Sequence, residues 1–390
     1  MTKKPSKIAQ SIEVSAIKKF EILIGKEENS ISLAQGIPNF ETPSFIKEKA
    51  KEAIDSGLTS KYTKGWGIEP LRQAIAEKVR RDNKIKVEPE NIIVTHGAIE
   101  ALMATFLALL DPEDEVIVLS PDYASHITQI RIIKQGAVPR FVPLEQKDSC
   151  WKLDPEKVES AINKKTKAIL LCNPSNPLGK VYTREELKAI AKIALKHNLF
   201  IITDEVYEYF VFDDKEHISI GSFPEAAERT ISVFSLSKSY SMTGWRIGYL
   251  VSDKKTVQEI FKIHDCLITC PTVVSQYAAL AAMKGDHKFV KEFKQNYERR
   301  REITAEILSQ TDRLGFIKPE GAYYLFPKVN LEMDDYDFSL RLLKEAKVGV
   351  VPGSAFGPGG RRHIRISFGC EEKKLREGLE RMVNYLNKKF

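Results

Sequence analysis

No stretch of this chain approaches the roughly 18 consecutive apolar residues that a membrane span requires, and no signal-peptide pattern precedes Ser11. Neither a membrane protein nor a secreted one is expected. Cysteine is scarce: Cys150, Cys172, Cys266, Cys270 and Cys370 form no disulfide framework and no paired metal signature. Cys266 and Cys270 stand one helical turn apart beside His264, but a zinc site needs a second pair of ligands, so the thiols read as buried or half-buried packing and no metal is expected. Reduced thiols make a cytoplasmic location the default. Internal repeats and low-complexity linkers are also missing. Nor is charge of one sign concentrated. The 60 basic and 53 acidic side chains give +7, with lysines scattered rather than striped, which argues against a nucleic-acid partner. Arg299-Arg300-Arg301 is the nearest thing to a basic patch, and it reads as the exposed face of a long helix.

What is present is a set of polar motifs, each following an apolar run. Arg229 to Phe234 leads into Ser235-Leu236-Ser237-Lys238, with Arg246 eight residues on from Lys238. A primary amine can form an imine, while hydroxyls and a guanidinium can hold a phosphate dianion. A lone lysine means little, because most lie on a solvated surface. Phe200 to Thr203 ends in Asp204-Glu205-Val206-Tyr207, a carboxylate at the C-terminal edge of a buried strand, where open α/β sheets bind ligands. That Asp either caps the next helix or faces a ligand. Ala168 to Leu171 precedes Asn173-Pro174-Ser175-Asn176-Pro177-Leu178-Gly179, a rigid turn displaying polar side chains. Ile92 to Thr95 passes through His96 and Gly97 into a helix whose first N–H groups and dipole make an anion site.

Strands near 92–95, 115–120, 168–172, 200–204, 230–234 and 247–251 alternate with helical patterns at 68–81, 99–110, 155–163 and 184–197. This is the pattern of βα units building a sheet covered on both faces. A long amphipathic pattern over 287–309 leads to a smaller α/β unit. The expected organisation is an N-terminal segment 1–45 folded back on the small unit, a large domain 46–286 with a mostly parallel sheet, and a small C-terminal domain 287–390.

In their order along the chain these motifs resemble the class I/II aminotransferases, pyridoxal-phosphate enzymes of fold type I. Further matches are Leu33-Ala34-Gln35-Gly36, Tyr62, Pro121-Asp122-Tyr123, Gly321-Ala322-Tyr323-Tyr324 and Arg365-Ile366-Ser367-Phe368, so the resemblance runs from about Ile31 to the C-terminus. It implies that Lys238 forms the Schiff base with pyridoxal 5'-phosphate and shuttles the Cα proton. Asp204 would pair with the pyridine nitrogen, Tyr207 and Asn176 with the phenolate oxygen, and Tyr123 would stack on the ring. The phosphate would lie among Gly97, Ala98, Ile99, Ser235, Ser237 and Arg246, with Tyr62 reaching it from the other subunit of a homodimer. Arg365 would take the substrate's α-carboxylate, assisted by Asn176 and the backbone of Gly36.

The substrates implied are an L-amino acid and a 2-oxo acid such as 2-oxoglutarate, in a ping-pong reaction. Leu178 and Ile37-Pro38-Asn39 depart from the family's usual Thr and Glu-Pro-Asp. No obvious cation awaits a side-chain carboxylate. Ile12, Tyr62, Trp66 and Tyr323 suggest an apolar or aromatic pocket, although Trp66 reads equally as a loop aromatic packed on the large domain. A C–S β-lyase on the same fold would share every residue named. A non-catalytic cofactor-binding regulator is disfavoured by the intact lysine and arginines, and about 30 residues before the first motif leave no room for a DNA-binding appendage.

Overall fold

The computed structural model describes residues 3–133 and 136–390, so the start of the polar stretch 1–6 lies outside the described residues. Among the described residues seven strands build the main sheet. They are β1 Ile92–Thr95, β2 Glu115–Ser120, β3 Val138–Pro143, β4 Thr166–Cys172, β5 Phe200–Asp204, β6 Thr230–Ser235 and β7 Gly248–Val251. Their spatial order is β1-β7-β6-β5-β4-β2-β3. Alternate residues feed opposite faces. Ile117, Leu119, Ile169, Leu171 and Ile201 join one apolar cluster, while Val116, Val118, Ala168, Leu170 and Ile202 join another. Both faces are therefore packed, which is why these runs are apolar throughout rather than alternating. Each such valine, leucine or isoleucine contributes about 1.5–3 kcal/mol when fully buried.

Only β7 runs against its neighbours, with Gly248 registered opposite both Thr95 and Ser235. The start of β7 therefore lies at the same edge as the ends of β1 and β6, and Arg246, two residues before β7, joins that edge. The expected parallel sheet thus holds one reversed strand. Strand β3 has no counterpart in the sequence reading. Its exposed Val138 and its Pro139 and Pro143 mark an edge strand, where a missing N–H costs no ladder bond.

The helices that matter for the site are α1 Ala16–Lys26, α2 Ala98–Leu109, α3 Ala124–Ile132, α4 Lys254–Ile268, α5 Lys288–Leu308 and α6 Glu372–Lys389. The expected helix over 68–81 is α-helical for Glu69–Lys78 and widens into a π-turn over Val79–Asn83. The expected helix at 184–197 forms over Arg184–Lys196, started by a capping box between Thr183 and Glu186. Beyond α5, strands β8 Tyr324–Leu325, β9 Val351–Pro352 and β10 Ile364–Ser367 make a small antiparallel sheet in the order β8-β10-β9. Ile31–Ser32 pairs in parallel with Val348–Gly349, and the Ser367 amide donates to the Leu33 carbonyl at 2.8 Å. Among the described residues no helix is long and apolar enough to cross a membrane.

Two expectations are corrected here. Arg300 and Arg301 do not lie on an exposed face: Arg301 is buried in a pair with Asp213, and Arg300 between the rings of Phe40 and Tyr297. Their turn of α5 faces the body of the protein, leaving only Arg299 outside. Cys266 is exposed, because it sits on the outer side of α4, whereas Cys172 is buried at the end of β4.

Candidate active site

The strand ends meet at a cavity of about 450 Å³. Gly36, Ala98, Ile99, Tyr123, Asn176, Asp204, Tyr207, Ser235, Ser237, Lys238, Arg246 and Arg365 line it. Of the residues expected to hold the cofactor or the substrate's carboxylate, Gly97 and Tyr62 are not part of this lining. Gly97 sits immediately behind it, whereas Tyr62 is 84% exposed on a loop outside.

At one end β1 passes into α2 through Gly97, whose φ of 81° lies in the left-handed region. A β-carbon there would stand 2.7 Å from Arg246 Nη2, so another residue would displace the guanidinium as well as strain the backbone. No side chain caps the start of α2, which leaves its first N–H groups free. Arg246 Nη1 donates to the Thr243 carbonyl at 2.8 Å, and among the described residues no carboxylate neutralises the guanidinium. A bare helix N-terminus, an arginine and the Ser235 and Ser237 hydroxyls converge. This donor set fits a phosphate dianion.

At the centre is Lys238, delivered by the short helix after β6. Its Nζ donates to the Gly36 carbonyl at 2.7 Å. Burial first, and then the positive charge of Arg365, bring its pKa down to about 8; Asp204 opposes the shift and Arg246 adds to it. An amine in that range is available as a neutral nucleophile and base near neutral pH. Across the cavity Asp204 is 5% exposed. Its Oδ1 accepts from the Val206 amide at 3.2 Å, and its Oδ2 lies 3.1 Å from His126 Nε2. His126 Nδ1 in turn lies 2.8 Å from Asp122 Oδ2. Burial works against charge on His126, but the flanking Asp122 and Asp204 carboxylates outweigh it and push the ring up to about 10. The ring therefore sits as a cation between two carboxylates.

His126 was not singled out in the sequence. The available signal was its position four residues after Asp122 at a helix start, where the two side chains share a face. The Tyr207 hydroxyl pairs with that of Tyr324 at 2.8 Å, and burial raises both phenols, that of Tyr207 well above its ordinary range.

Arg365 comes from β10 and is 2% exposed. Its Nη1 donates to Asn176 Oδ1 at 3.1 Å and its Nη2 to the Ala34 carbonyl at 2.5 Å, while its Nε has no partner. The Tyr324 and Phe356 rings hold the guanidinium at 4.5 and 5.0 Å. A buried cation with unused donors and, among the described residues, no carboxylate partner is a receptor for one.

The remaining wall comes from the N-terminal segment: Ser15, Ile17, Lys18 and Glu21, with Lys18 Nζ 2.6 Å from Glu21 Oε2. Lys18 is thus a cation at the cavity, although the sequence offered no obvious one. Ile12, Tyr62, Trp66 and Tyr323, suggested as an apolar pocket, do not line this cavity within one chain. Trp66 stacks on Phe261 at 3.6 Å, and Tyr323 is fully buried, its hydroxyl donating to the Gly36 carbonyl at 2.9 Å.

Residues 28–382 match the profile of the family described as aminotransferase class I and II. The probable aspartate/prephenate aminotransferase of Aquifex aeolicus is 41% identical over 371 residues, covering 93% of each chain. Aromatic-amino-acid aminotransferase 2 of Thermococcus litoralis is 38% identical over 384 residues, covering 97% of each. The solved structure of Thermus thermophilus aspartate aminotransferase with maleate superimposes with a TM-score of 0.93, at 36% identity, over 99% of this chain and 100% of that one. A phosphate-shaped donor set, a lysine with a lowered pKa and a carboxylate receptor around one cavity are the chemistry that such a family requires. The chain belongs to aminotransferase class I and II and is a pyridoxal-phosphate-dependent aminotransferase.

Proposed function

We propose that the protein moves the amino group of an apolar, aromatic or acidic L-amino acid to a 2-oxo acid such as 2-oxoglutarate, in two half-reactions at one site. The observation that carries this reading is Arg365: a buried guanidinium without an anionic partner, on the same cavity as Lys238. Both an amino acid and a 2-oxo acid present the one carboxylate it needs.

Bound pyridoxal phosphate supplies an aldehyde carbon for imine exchange and a ring that accepts the electron pair left at Cα. We assign the phosphate to Gly97, Ala98, Ile99, Ser235, Ser237 and Arg246, the ring face to Tyr123, and the phenolate oxygen to Tyr207 and Asn176. Asp204, held by His126, would pair with the ring nitrogen and favour its protonated form. With the cofactor bound, Lys238 Nζ would serve as the base that takes the substrate's Cα proton and as the acid that gives it back. Arg365, Asn176 and the Gly36 backbone orient the substrate, so that the Cα–H bond rather than another is broken.

Ile17, Ile37 and Ile99 on the cavity wall suit apolar and aromatic donors, and Lys18 suits an acidic one. A panel of amino donors against 2-oxoglutarate, followed by the cofactor's absorbance, tests the assignment. Release of pyruvate from a cysteine conjugate, faster than any oxo acid forms from the donors, would replace it with β-lyase chemistry. Lys18→Ala should weaken aspartate and glutamate selectively and leave aromatic donors unchanged.

The site is proposed to be shared in a homodimer, with Tyr62 serving the partner's phosphate. Its exposure, together with that of Leu58 and Leu267, supports a covered surface there. Lys238→Ala and Tyr62→Phe chains, each weak alone, should regain activity on subunit exchange, because a hybrid concentrates both defects in one site. Exchange without recovery would contradict it. The free cysteines are in keeping with a reducing, cytoplasmic location.

A further inference from the structure

The loop carrying Tyr62 is tied to the helix start assigned to the phosphate through one buried histidine. His264 on α4 is fully buried. Its Nδ1 lies 3.0 Å from Glu100 Oε1, and its Nε2 lies 3.0 Å from the Gly65 carbonyl. Both partners are acceptors, so both contacts are hydrogen bonds only when each ring nitrogen carries hydrogen. Glu100 occupies the first turn of α2, and its other oxygen accepts from the His96 amide at 3.1 Å, directly before Gly97. Gly65 lies three residues after Tyr62 and packs so closely that a β-carbon would meet the Thr269 carbonyl at 3.0 Å and the Phe261 ring at 3.1 Å. The stack of Trp66 on Phe261 clamps the same loop to the same helix.

We propose that His264 is a positioning residue: with Glu100 and the Gly65 carbonyl it sets the loop that presents Tyr62, and so governs cofactor retention in the neighbouring subunit. This rests on the reading of Tyr62 as serving the partner's phosphate. The bridge has a counter-intuitive electrostatic feature. Glu100 places an anion in the first turn of the helix whose N-terminus is assigned to a phosphate, where it opposes anion binding. Neutralising Glu100 would strengthen phosphate binding if electrostatics alone mattered, whereas a positioning role predicts that it weakens.

The test is equilibrium titration of the cofactor-depleted full chain with pyridoxal phosphate, for wild type, Tyr62→Phe, His264→Phe and the double variant. Loss of one hydrogen bond to the phosphate should weaken binding about tenfold in each single variant. If His264 acts through Tyr62, the double variant is no weaker than a single one. Multiplied losses, of about a hundredfold, would mean that His264 acts independently, and the inference fails. Unchanged binding in His264→Phe, with Tyr62→Phe weakened, overturns this inference alone. Unchanged binding in Tyr62→Phe overturns the shared-site reading and this one with it. Glu100→Gln preserves shape and guards against misfolding of the histidine variant. Weaker binding at an unchanged apoprotein Tm supports the bridge, and unchanged or tighter binding refutes it.

Discussion

Replacing Arg365 by lysine keeps a positive charge in the cavity while removing the planar fork. Two guanidinium N–H groups are already committed, to Asn176 and the Ala34 carbonyl, which leaves Nε and one hydrogen on each terminal nitrogen for a ligand. An ammonium has three hydrogens, for which those same two acceptors compete, so one charge-assisted bond to the carboxylate is lost. Such a bond is worth about 1.5–3 kcal/mol, which at ~1.36 kcal/mol per tenfold is about a 10- to 150-fold loss. The loss should appear equally in kcat/KM for the amino acid and for the 2-oxo acid, since both present the same group. Single-turnover measurement of each half-reaction by the cofactor's absorbance gives these values, and titration with pyridoxal phosphate should be unchanged. The decisive control is a primary amine without a carboxylate. Its slow reaction should be no slower in the variant. A loss below about threefold, or an equal loss with the amine, would mean that Arg365 supports the fold rather than the substrate.

Lys238→Ala should abolish transamination while retaining the wild-type fold by circular dichroism, since no other primary amine lines the cavity centre; near-normal turnover would remove the assignment. Asp204→Ala should still bind pyridoxal phosphate but react more than tenfold slower, a barrier increase above ~1.4 kcal/mol; a smaller loss would make Asp204 a structural cap. The raised pKa of His126 stabilises the fold fully below its unfolded value near 6.5, and the contribution is lost as pH rises through about 10. The Tm difference between wild type and His126→Phe should therefore be largest at or below about pH 6.5 and shrink toward pH 10; a constant difference would show that packing, not charge, dominates.

The strands of the main sheet were legible because they are buried on both faces, so apolar runs such as Ile92 to Thr95 stand out between polar motifs. The residues at their C-terminal ends were legible because imine, phosphate and carboxylate chemistry each demand particular side chains. What escaped had little or no local signature. Strand β3 is half-exposed and interrupted by prolines. Helix α1 enters the cavity wall only because the chain folds back across many residues, and nothing near Lys18 marks it. Arg300 and Arg301 looked solvated because their acceptors, Asn39 and Asp213, lie far away in sequence. His126 combined a local clue, Asp122, with a distant one, Asp204, and only the second gives it a place in the site.

The wall contributed by α1 has a consequence for how this protein can diverge. The helix is anchored by Phe20 and Ile24, with Ile17 and Leu23 half-buried against the same cluster, whereas Lys18 and Glu21 pack against no apolar core. Substituting the latter leaves no cavity in the core and breaks no strand ladder, so the expected penalty is within about 0.5 kcal/mol. Lys238, Asp204 and the phosphate donors sit instead at strand ends and the helix starts that follow them, where nearly every change disturbs packing. Mutational drift can therefore sample new donors on a peripheral helix while the reaction itself is held constant. A library confined to positions 18, 21 and 37 should alter substrate preference at little loss of folded yield.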